Sequence, residues 1–589
     1  MSLSVFIKKQ SMKKILFTTL AVSAAMAAFA EPIGREEARA IASAYLNSVR
    51  RQTAEPVLAL SQNEVKSIKA YGIVDAPAFY VFNASDGRGF VVVSGDDDFP
   101  SIIGYSNDGF FPSSGQMPEG LNDLLSFYSQ YVADVRSGIA EAPVTNLDRS
   151  LSRASVPVVA PLCTSKWSQN DPYNMYAPKI GSTTCPVGCV ATAMSQLMYF
   201  WKYPERGNGQ VSYEVPNYGI PISENLSESV YDWSRMSNAV TNSSSEASKE
   251  AVAKLCYDAG VSVSMQYAPY SSGAFDLDAL AALVYNFGYS PSVRLVYRDC
   301  YAKLNEWQEV MKSELDAGRP IYFSAQSPSG GGKDAGGHAF IVDGYGTDDF
   351  AHVNWGWGGL YDGYYSISRL DPGNYAFTAG QAMMVGLRPA SEGAAETQSV
   401  LYLESAPSLR IIGTDRDSEF SVYLSAAYNI CSPKSPVSWT IGVGLYRPDG
   451  TFVADVCTES ESDRTVTDVE HFYGFGQATL KCQIPESIPE GDYVLKLSTK
   501  EVGFDSWILP AVVGGASKNE FPVWVTSSEL RFNEVSAGID GIGSDDADVV
   551  AKEWFDLSGR KIEAPVKGQT YIERVTLSNG KVESIKKIF

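Results

Sequence analysis

The stretch Gly188-Cys189-Val190-Ala191-Thr192-Ala193-Met194-Ser195-Gln196-Leu197-Met198 decides how the chain is read. Val190, Met194, Leu197, Met198 and Trp201 recur at helical spacing as one apolar stripe, and Pro204 marks the stop. The helix predicted here is buried, and Cys189 opens it directly after Gly188. At a helix N-terminus the dipole and the unpaired N–H groups favour an anion, which draws a thiol toward the thiolate. A cysteine in that place is either a small buried hydrophobe or a nucleophile. Taken alone, the spacing does not choose between them.

A nucleophilic cysteine needs a base, and the chain holds only three histidines, His338, His352 and His471. His338 follows Gly336-Gly337 and opens the alternating run Ala339-Phe340-Ile341-Val342. A Gly/Asp-rich turn over 343–349 leads into a second run, 350–355. Folding this hairpin about Gly346 sets His338 opposite Asn354, whose amide would fix the tautomer and orientation of the imidazole. Trp355 would shield that hydrogen bond from water. His352 has no acceptor or orienter at comparable spacing and reads as structural, and His471 lies far from any partner motif. Upstream, Gln169 in Lys166-Trp167-Ser168-Gln169-Asn170 offers an amide to a developing oxyanion beside the Cys189 N–H. One such donor is typically worth about 10²–10³ in rate.

The chain has 589 residues, 47 basic and 68 acidic, and a formal net charge of −21. Its length suggests three to five domains at roughly 100–200 residues each. With 44% apolar and 20% charged residues, the chain as a whole is not disordered. The acidic balance argues against nucleic acid as a partner, because binding to phosphates needs clustered Lys and Arg. Eight cysteines are too sparse for a disulfide framework in a chain this long. Cys185 and Cys189 lack a His or second Cys pair at ligand spacing, so no metal is expected, and no cofactor motif is present. The Gly-rich run Ser327-Pro328-Ser329-Gly330-Gly331-Gly332-Lys333 fails as a phosphate loop, because no Ser or Thr follows Lys333. It reads as a mobile loop bordering the cleft.

Lys13 and Lys14, the apolar run 15–27 and Ala28-Phe29-Ala30 form an export signal over 1–30. The run is shorter than the roughly 20 residues of a spanning helix, and no later segment qualifies. The mature protein is therefore expected outside the cell without a transmembrane segment. Ala38, Ile41, Ala42, Tyr45, Leu46 and Val49 mark an amphipathic helix. The runs 79–82, 89–93 and 104–106 read as β-structure, and 121–135 as a second helix. This α+β unit, 31–155, ends in an exposed polar stretch, 149–155, of the kind that proteases nick. The Trp-, Tyr- and Gly-rich unit 156–392 carries the candidate site. A linker, 391–398, precedes strand signals over 399–530 that fit an antiparallel sandwich. After a Gly/Asp/Ser-rich stretch, 538–548, a β-rich terminus covers 549–589.

The order Gln169, Cys189, His338, Asn354-Trp355 is that of papain-like cysteine peptidases. Gly188-Cys189-Val190-Ala191, Gly337-His338-Ala339-Phe340, Asn354-Trp355-Gly356-Trp357-Gly358-Gly359 and Asp362-Gly363-Tyr364-Tyr365 resemble the streptopain family of secreted bacterial cysteine peptidases. Tyr80-Val81-Phe82-Asn83, Gly89-Phe90-Val91-Val92-Val93-Ser94-Gly95 and Gly104-Tyr105-Ser106 are similar to the family's inhibitory propeptide. The resemblance covers about residues 31–390. It implies an α+β chain with a papain-like two-subdomain catalytic domain over 156–392, a Cys189–His338 dyad, and a zymogen whose propeptide, 31–155, is an intramolecular inhibitor. It also implies protein or peptide substrates, with an apolar residue two positions before the cut. Cys185 departs from the pattern and either pairs reversibly with Cys189 or does nothing. Trp554-Phe555-Asp556-Leu557-Ser558-Gly559-Arg560-Lys561-Ile562 resembles terminal sorting domains of Bacteroidetes-type secreted proteins, which would display the protein at the cell surface; a plain β-rich terminus is the alternative. Two other functions fit the same residues: a cysteine acyltransferase using the same dyad, and a non-enzymatic adhesin that binds through the sandwich.

Overall fold

Val91, Val92 and Val93 are all fully buried, which requires a strand covered on both faces. The computed structural model describes residues 32–52, 66–69, 76–113, 117–143, 156–326, 337–366, 380–391, 396–533, 549–555, 561–562, 570–577 and 582–588. The export signal, the 149–155 stretch, the Lys333 loop and 538–548 lie outside the described residues.

Helix α1 (Arg35–Gln52) buries Ala38, Ala42, Leu46 and Val49, the stripe expected from the sequence. Strands β1 (Lys66–Lys69), β2 (Pro77–Asn83), β3 (Phe90–Ser94) and β4 (Ile102–Ser106) follow, then α2 (Glu119–Arg136). Strand β5 (Pro157–Val159) begins the central unit, with two small hairpins, β6 (Lys179–Ile180) with β7 (Thr183–Thr184) and β8 (Gln210–Val215) with β9 (Ile220–Asn225). Its helices are α3 (Cys189–Trp201), α4 (Glu246–Ser262), α5 (Asp276–Tyr285) and α6 (Leu304–Asp316). Its remaining strands are β10 (Arg294–Tyr297), β11 (Ile321–Gln326), β12 (Gly337–Gly346), β13 (Ala351–Asn354), β14 (Gly363–Tyr365) and β15 (Ala382–Val385).

The two units share one sheet, in the order β1-β2-β3-β4-β14-β13-β12-β11-β15-β10, with β5 on β12. The seam is the antiparallel pair β4–β14, where Tyr364 faces Tyr105 and Tyr365 faces Gly104. The Tyr105 and Tyr364 rings stack at 5.0 Å, and a Cβ on Gly104 would stand 2.6 Å from the Tyr365 ring. Side chains of β12 alternate between two cores. Ala339 and Ile341 join α3, α4 and α5 on one face, while Phe340 and Val342 join α2 and α6 on the other. Every residue of α3 from 189 to 199 is buried, as a helix packed on all sides requires. It ends at Lys202, in the left-handed conformation at φ 49°, just before Pro204.

Among the described residues beyond 396, the regular elements are strands and short 3₁₀ turns. One sheet joins β17 (Ser408–Ile411), β18 (Phe420–Leu424) and β24 (Ala478–Cys482). A second joins β21 (Phe452–Asp455), β20 (Val437–Tyr446), β25 (Gly491–Glu501), β27 (Phe521–Val525) and β28 (Leu530–Phe532), with β22 (Thr465–Val469) on β20. Short strands β16 (Tyr402–Leu403), β19 (Ala427–Tyr428), β23 (Gly474–Phe475) and β26 (Ala511–Val512) form a third. Val422, Leu480, Trp439, Val443 and Leu495 close on one apolar core between the sheets. At the end β29 (Val549–Phe555), β30 (Lys561–Ile562), β31 (Thr570–Leu577) and β32 (Val582–Ile588) make a separate four-stranded sheet.

Candidate active site

Cys189 is the first residue of α3 and is 9% exposed. Gly188 before it adopts φ 92°, and a Cβ there would lie 2.8 Å from the Met265 sulfur and from the Ser272 carbonyl oxygen. Only glycine meets both conditions, so the turn that presents Cys189 depends on it. The Val187 N–H donates to the Gln169 carbonyl at 2.9 Å, which holds the half-buried Gln169 beside the Cys189 turn. Tyr322 lies within electrostatic range of Cys189, and its hydroxyl donates to Asp276 Oδ1 at 2.7 Å.

His338, the second residue of β12, is 2% exposed and pairs with Ala325 of β11. It shares the β12 face of Phe340, and its ring lies near parallel to those of Phe340 and Trp355. Its Nε2 is 3.4 Å from the Trp355 carbonyl oxygen. Burial pushes the imidazole down to about 4, and the Trp355 carbonyl only partly opposes this. Gly120 of α2 covers this ring: a Cβ on Gly120 would stand 3.1 Å from His338 Cδ2 and 2.9 Å from Trp355 Cζ3. Gly337, expected to support His338, is exposed at the head of the strand.

The hairpin does not fold about Gly346, and Asn354 does not face His338. The turn closes farther along, over 347–349, with Gly346 N–H donating to the Phe350 carbonyl and Asp349 at φ 62°. A bulge at Asp343 shifts the register again, so Asn354 pairs with Ile341. Asn354 instead donates to the Ser165 carbonyl at 2.7 Å and accepts from Gly356 N–H at 3.0 Å. Its amide also exchanges two 3.2 Å hydrogen bonds with Gln196. Trp355 is 1% exposed and lends its carbonyl to His338, a closer role than the shielding expected of it.

Gln196, within the cysteine motif, has a role that its sequence context alone does not assign. It lies on the same face of α3 as Cys189, two turns on, and its Oε1 also accepts from Trp167 N–H at 3.3 Å. One buried amide thus ties the cysteine helix, the Gln169 segment and the end of β13. The available signal was its spacing from Cys189.

His352 does have a partner. Its Nδ1 lies 2.6 Å from Asp343 Oδ1, across the bulge that the sequence did not reveal. Asp343 Oδ2 accepts from Cys163 N–H at 2.8 Å. Burial lowers the His352 imidazole, but the Asp343 charge and hydrogen bond outweigh it and hold the group above its ordinary value. Nearby Asp362 accepts from Trp355 N–H at 3.0 Å, and burial raises its carboxyl to about 7. His471 Nε2 lies 3.1 Å from the Ser432 carbonyl, within the sandwich. Cys185 is fully buried in the α3 core, where burial pushes its thiol up. Among the described residues no group of three His, Cys, Asp or Glu converges on a metal position, and no helix is long and apolar enough to cross a membrane.

A buried helix headed by a cysteine, a buried imidazole at the head of β12 and a preceding unit that covers that imidazole fit one class of protein, and sequence comparison agrees. Residues 167–365 match the model of the Peptidase C10 family, and residues 30–132 match that of the Spi protease inhibitor. Streptopain of Streptococcus pyogenes is 31% identical over 369 residues, which span 58% of this chain and 89% of that protein. The chain belongs to the streptopain family, the C10 cysteine peptidases. The thiol protease/hemagglutinin PrtT of Porphyromonas gingivalis is 32% identical over 335 residues, 54% of this chain and 37% of that protein's length. Among solved structures, a fragment of Prevotella intermedia prointerpain A is 32% identical with a TM-score of 0.46, covering 56% of this chain and 100% of that one. Active interpain A from the same organism is 39% identical with a TM-score of 0.36, covering 39% and 94%.

Proposed function

We propose that this chain is a secreted cysteine endopeptidase made as a zymogen, with Cys189 and His338 as its catalytic dyad in a papain-like two-subdomain domain. The observation that carries the reading is the seat of Gly120 of α2 on the His338 ring, which packs the inhibitor-like unit against that imidazole. A thiolate nucleophile needs a protonated imidazole beside it, and an imidazole held near 4 is neutral at ordinary pH. With α2 in place the dyad is therefore chemically idle. Removal of the leader returns water to His338 and frees its ring from the Gly120 contact.

In the mature enzyme Cys189 attacks the scissile carbonyl and forms an acyl-enzyme. His338 holds the proton as imidazolium, delivers it to the leaving amine, and then activates water for deacylation. The Gln169 amide and the Cys189 N–H stabilise the oxyanion. Asn354 acts through Ser165, Gln196 and Gly356 to fix the seat of Trp355, whose carbonyl holds the ring. Substrates are proteins or peptides with an apolar residue two positions before the cut, and the last sheet serves display at the cell surface.

The test compares the purified full-length chain with its Cys189→Ala variant on casein. Wild type matures to a product beginning near residue 155 and cleaves casein, and the variant does neither. Casein cleavage by the purified variant would overturn the assignment.

A further inference from the structure

The sandwich lies outside both family matches and contains a chemical feature unrelated to the dyad. Cys457 and Cys482 face each other in an isolated antiparallel bridge. Thr458 N–H donates to the Lys481 carbonyl and Gln483 N–H donates to the Val456 carbonyl, both at 2.9 Å. The ladder bonds therefore flank the two cysteines and do not join them. In such a non-hydrogen-bonded pair the Cα atoms stand about 4.5 Å apart and the side chains come closest. That spacing lies within the span a disulfide bridges, about 4.4–6.8 Å. The Cys482 thiol donates to the Leu480 carbonyl at 3.6 Å, and the Cys457 thiol lies within interaction range of it. Neither is in a disulfide in the structure.

The location gives the pair a purpose. Cys457 leaves the end of β21 in the larger sheet, and Cys482 ends β24 in the three-stranded sheet. A bond between them staples the two sheets across their shared core. Cys482 is fully buried, whereas Cys457 is partly exposed, so an external reagent reaches Cys457 first.

We infer that Cys457 and Cys482 are a built disulfide site, closed by exchange with a small-molecule disulfide, RSSR. Cys457 loses its proton and attacks one sulfur of RSSR; the S–S bond breaks and the first RSH leaves with a proton. Cys482 then attacks the Cys457 sulfur of the mixed disulfide and expels the second RSH. The protein gives up two electrons and two protons, RSSR takes both, and one protein S–S bond replaces two S–H bonds. The inference does not depend on the peptidase reading. It revises the expectation that the cysteines are too sparse for a framework: one pair is placed to staple the sandwich, without a network.

The full-length chain carrying Cys189→Ala, which removes the proposed nucleophile, is incubated with oxidised glutathione, denatured, alkylated and mapped by mass spectrometry. The expected product is a linked peptide joining Cys457 to Cys482, lighter than the sum of its parts by two hydrogens. Oxidation also raises the melting temperature of the sandwich transition by about 5–10 °C, and dithiothreitol reverses the rise. Adding Cys457→Ser removes both the link and the rise, while its reduced melting temperature matches that of the parent. Full alkylation of both cysteines after oxidation, a glutathione adduct that never resolves, or linkage of either to another cysteine would each overturn the inference.

Discussion

His338 and His352 sit on the two strands of one hairpin, both buried, and their surroundings drive them apart. His338 meets a backbone carbonyl and the glycine face of a helix, and burial holds it near 4. His352 meets the Asp343 carboxylate at 2.6 Å and is held above its ordinary value. Burial alone therefore does not mark a functional histidine. The difference lies in what completes the shell: a carboxylate within the same hairpin makes a permanent part of the fold, whereas a segment that can be cut away makes a group in reserve.

Breaking this contrast should be easiest at the dyad. His338→Ala in the matured enzyme is expected to lower kcat/KM at least about a thousandfold, whereas His352→Gln should stay within about tenfold; comparable losses would erase the distinction. Stability should respond in the opposite order. Asp343→Ala leaves His352 buried without its carboxylate and should cost about 3 kcal/mol in denaturant unfolding. His338→Ala should cost less, because the Nε2 of His338 meets a backbone carbonyl at 3.4 Å, a weaker contact than the 2.6 Å carboxylate of His352.

The two imidazoles should also give opposite pH slopes. The covered His338 has a pKa below that of a solvated imidazole, so the uncovered state binds the proton more tightly. Lowering the pH from about 6.5 toward 4 therefore loosens the cover, by up to about tenfold per unit. His352 is raised in the folded state, so its contribution is complete below about 6.5 and is lost as pH rises through its folded value. Acid should thus release the leader while the hairpin holds, and thiol labelling of Cys189 against pH would show it. The smallest effect is expected from Gly120→Ala. A methyl group forced against His338 Cδ2 and Trp355 should weaken docking by about 1 kcal/mol and raise the activity of the uncut chain about fivefold. No change would mean that α2 does not press on the ring.

Residue spacing exposed the elements better than the pairing between them. The stripes of α1 and α3 and the strands β2, β3 and β4 all fall where their periodicity places them. So do the first residue of the cysteine helix and the strand that carries His338. The Asn354 partnership was misplaced because turn chemistry, not the nearest glycine, closed the hairpin: Asp349 takes the left-handed position and Asp343 bulges. That bulge also gave His352 its carboxylate, which no count of separations along the chain reveals. The Gln196 amide shows the same limit, since its two partners, Trp167 and Asn354, come from separate parts of the chain. The Cys457–Cys482 bridge is another case, because register across two sheets is a tertiary fact.

The seam between β4 and β14 bears on the order of events during synthesis. The inhibitor-like unit leaves the ribosome first and offers β4 as an open sheet edge, while β14 is among the last strands of the central unit to emerge. The central sheet thus meets a waiting template when its own outer strand forms, and Tyr364 and Tyr365 complete their ladder against Tyr105 and Gly104. Completing the central sheet and covering its edge become the same step. Because only two residue pairs make that ladder, later cutting of the leader leaves a short edge to uncover, not a long one to tear.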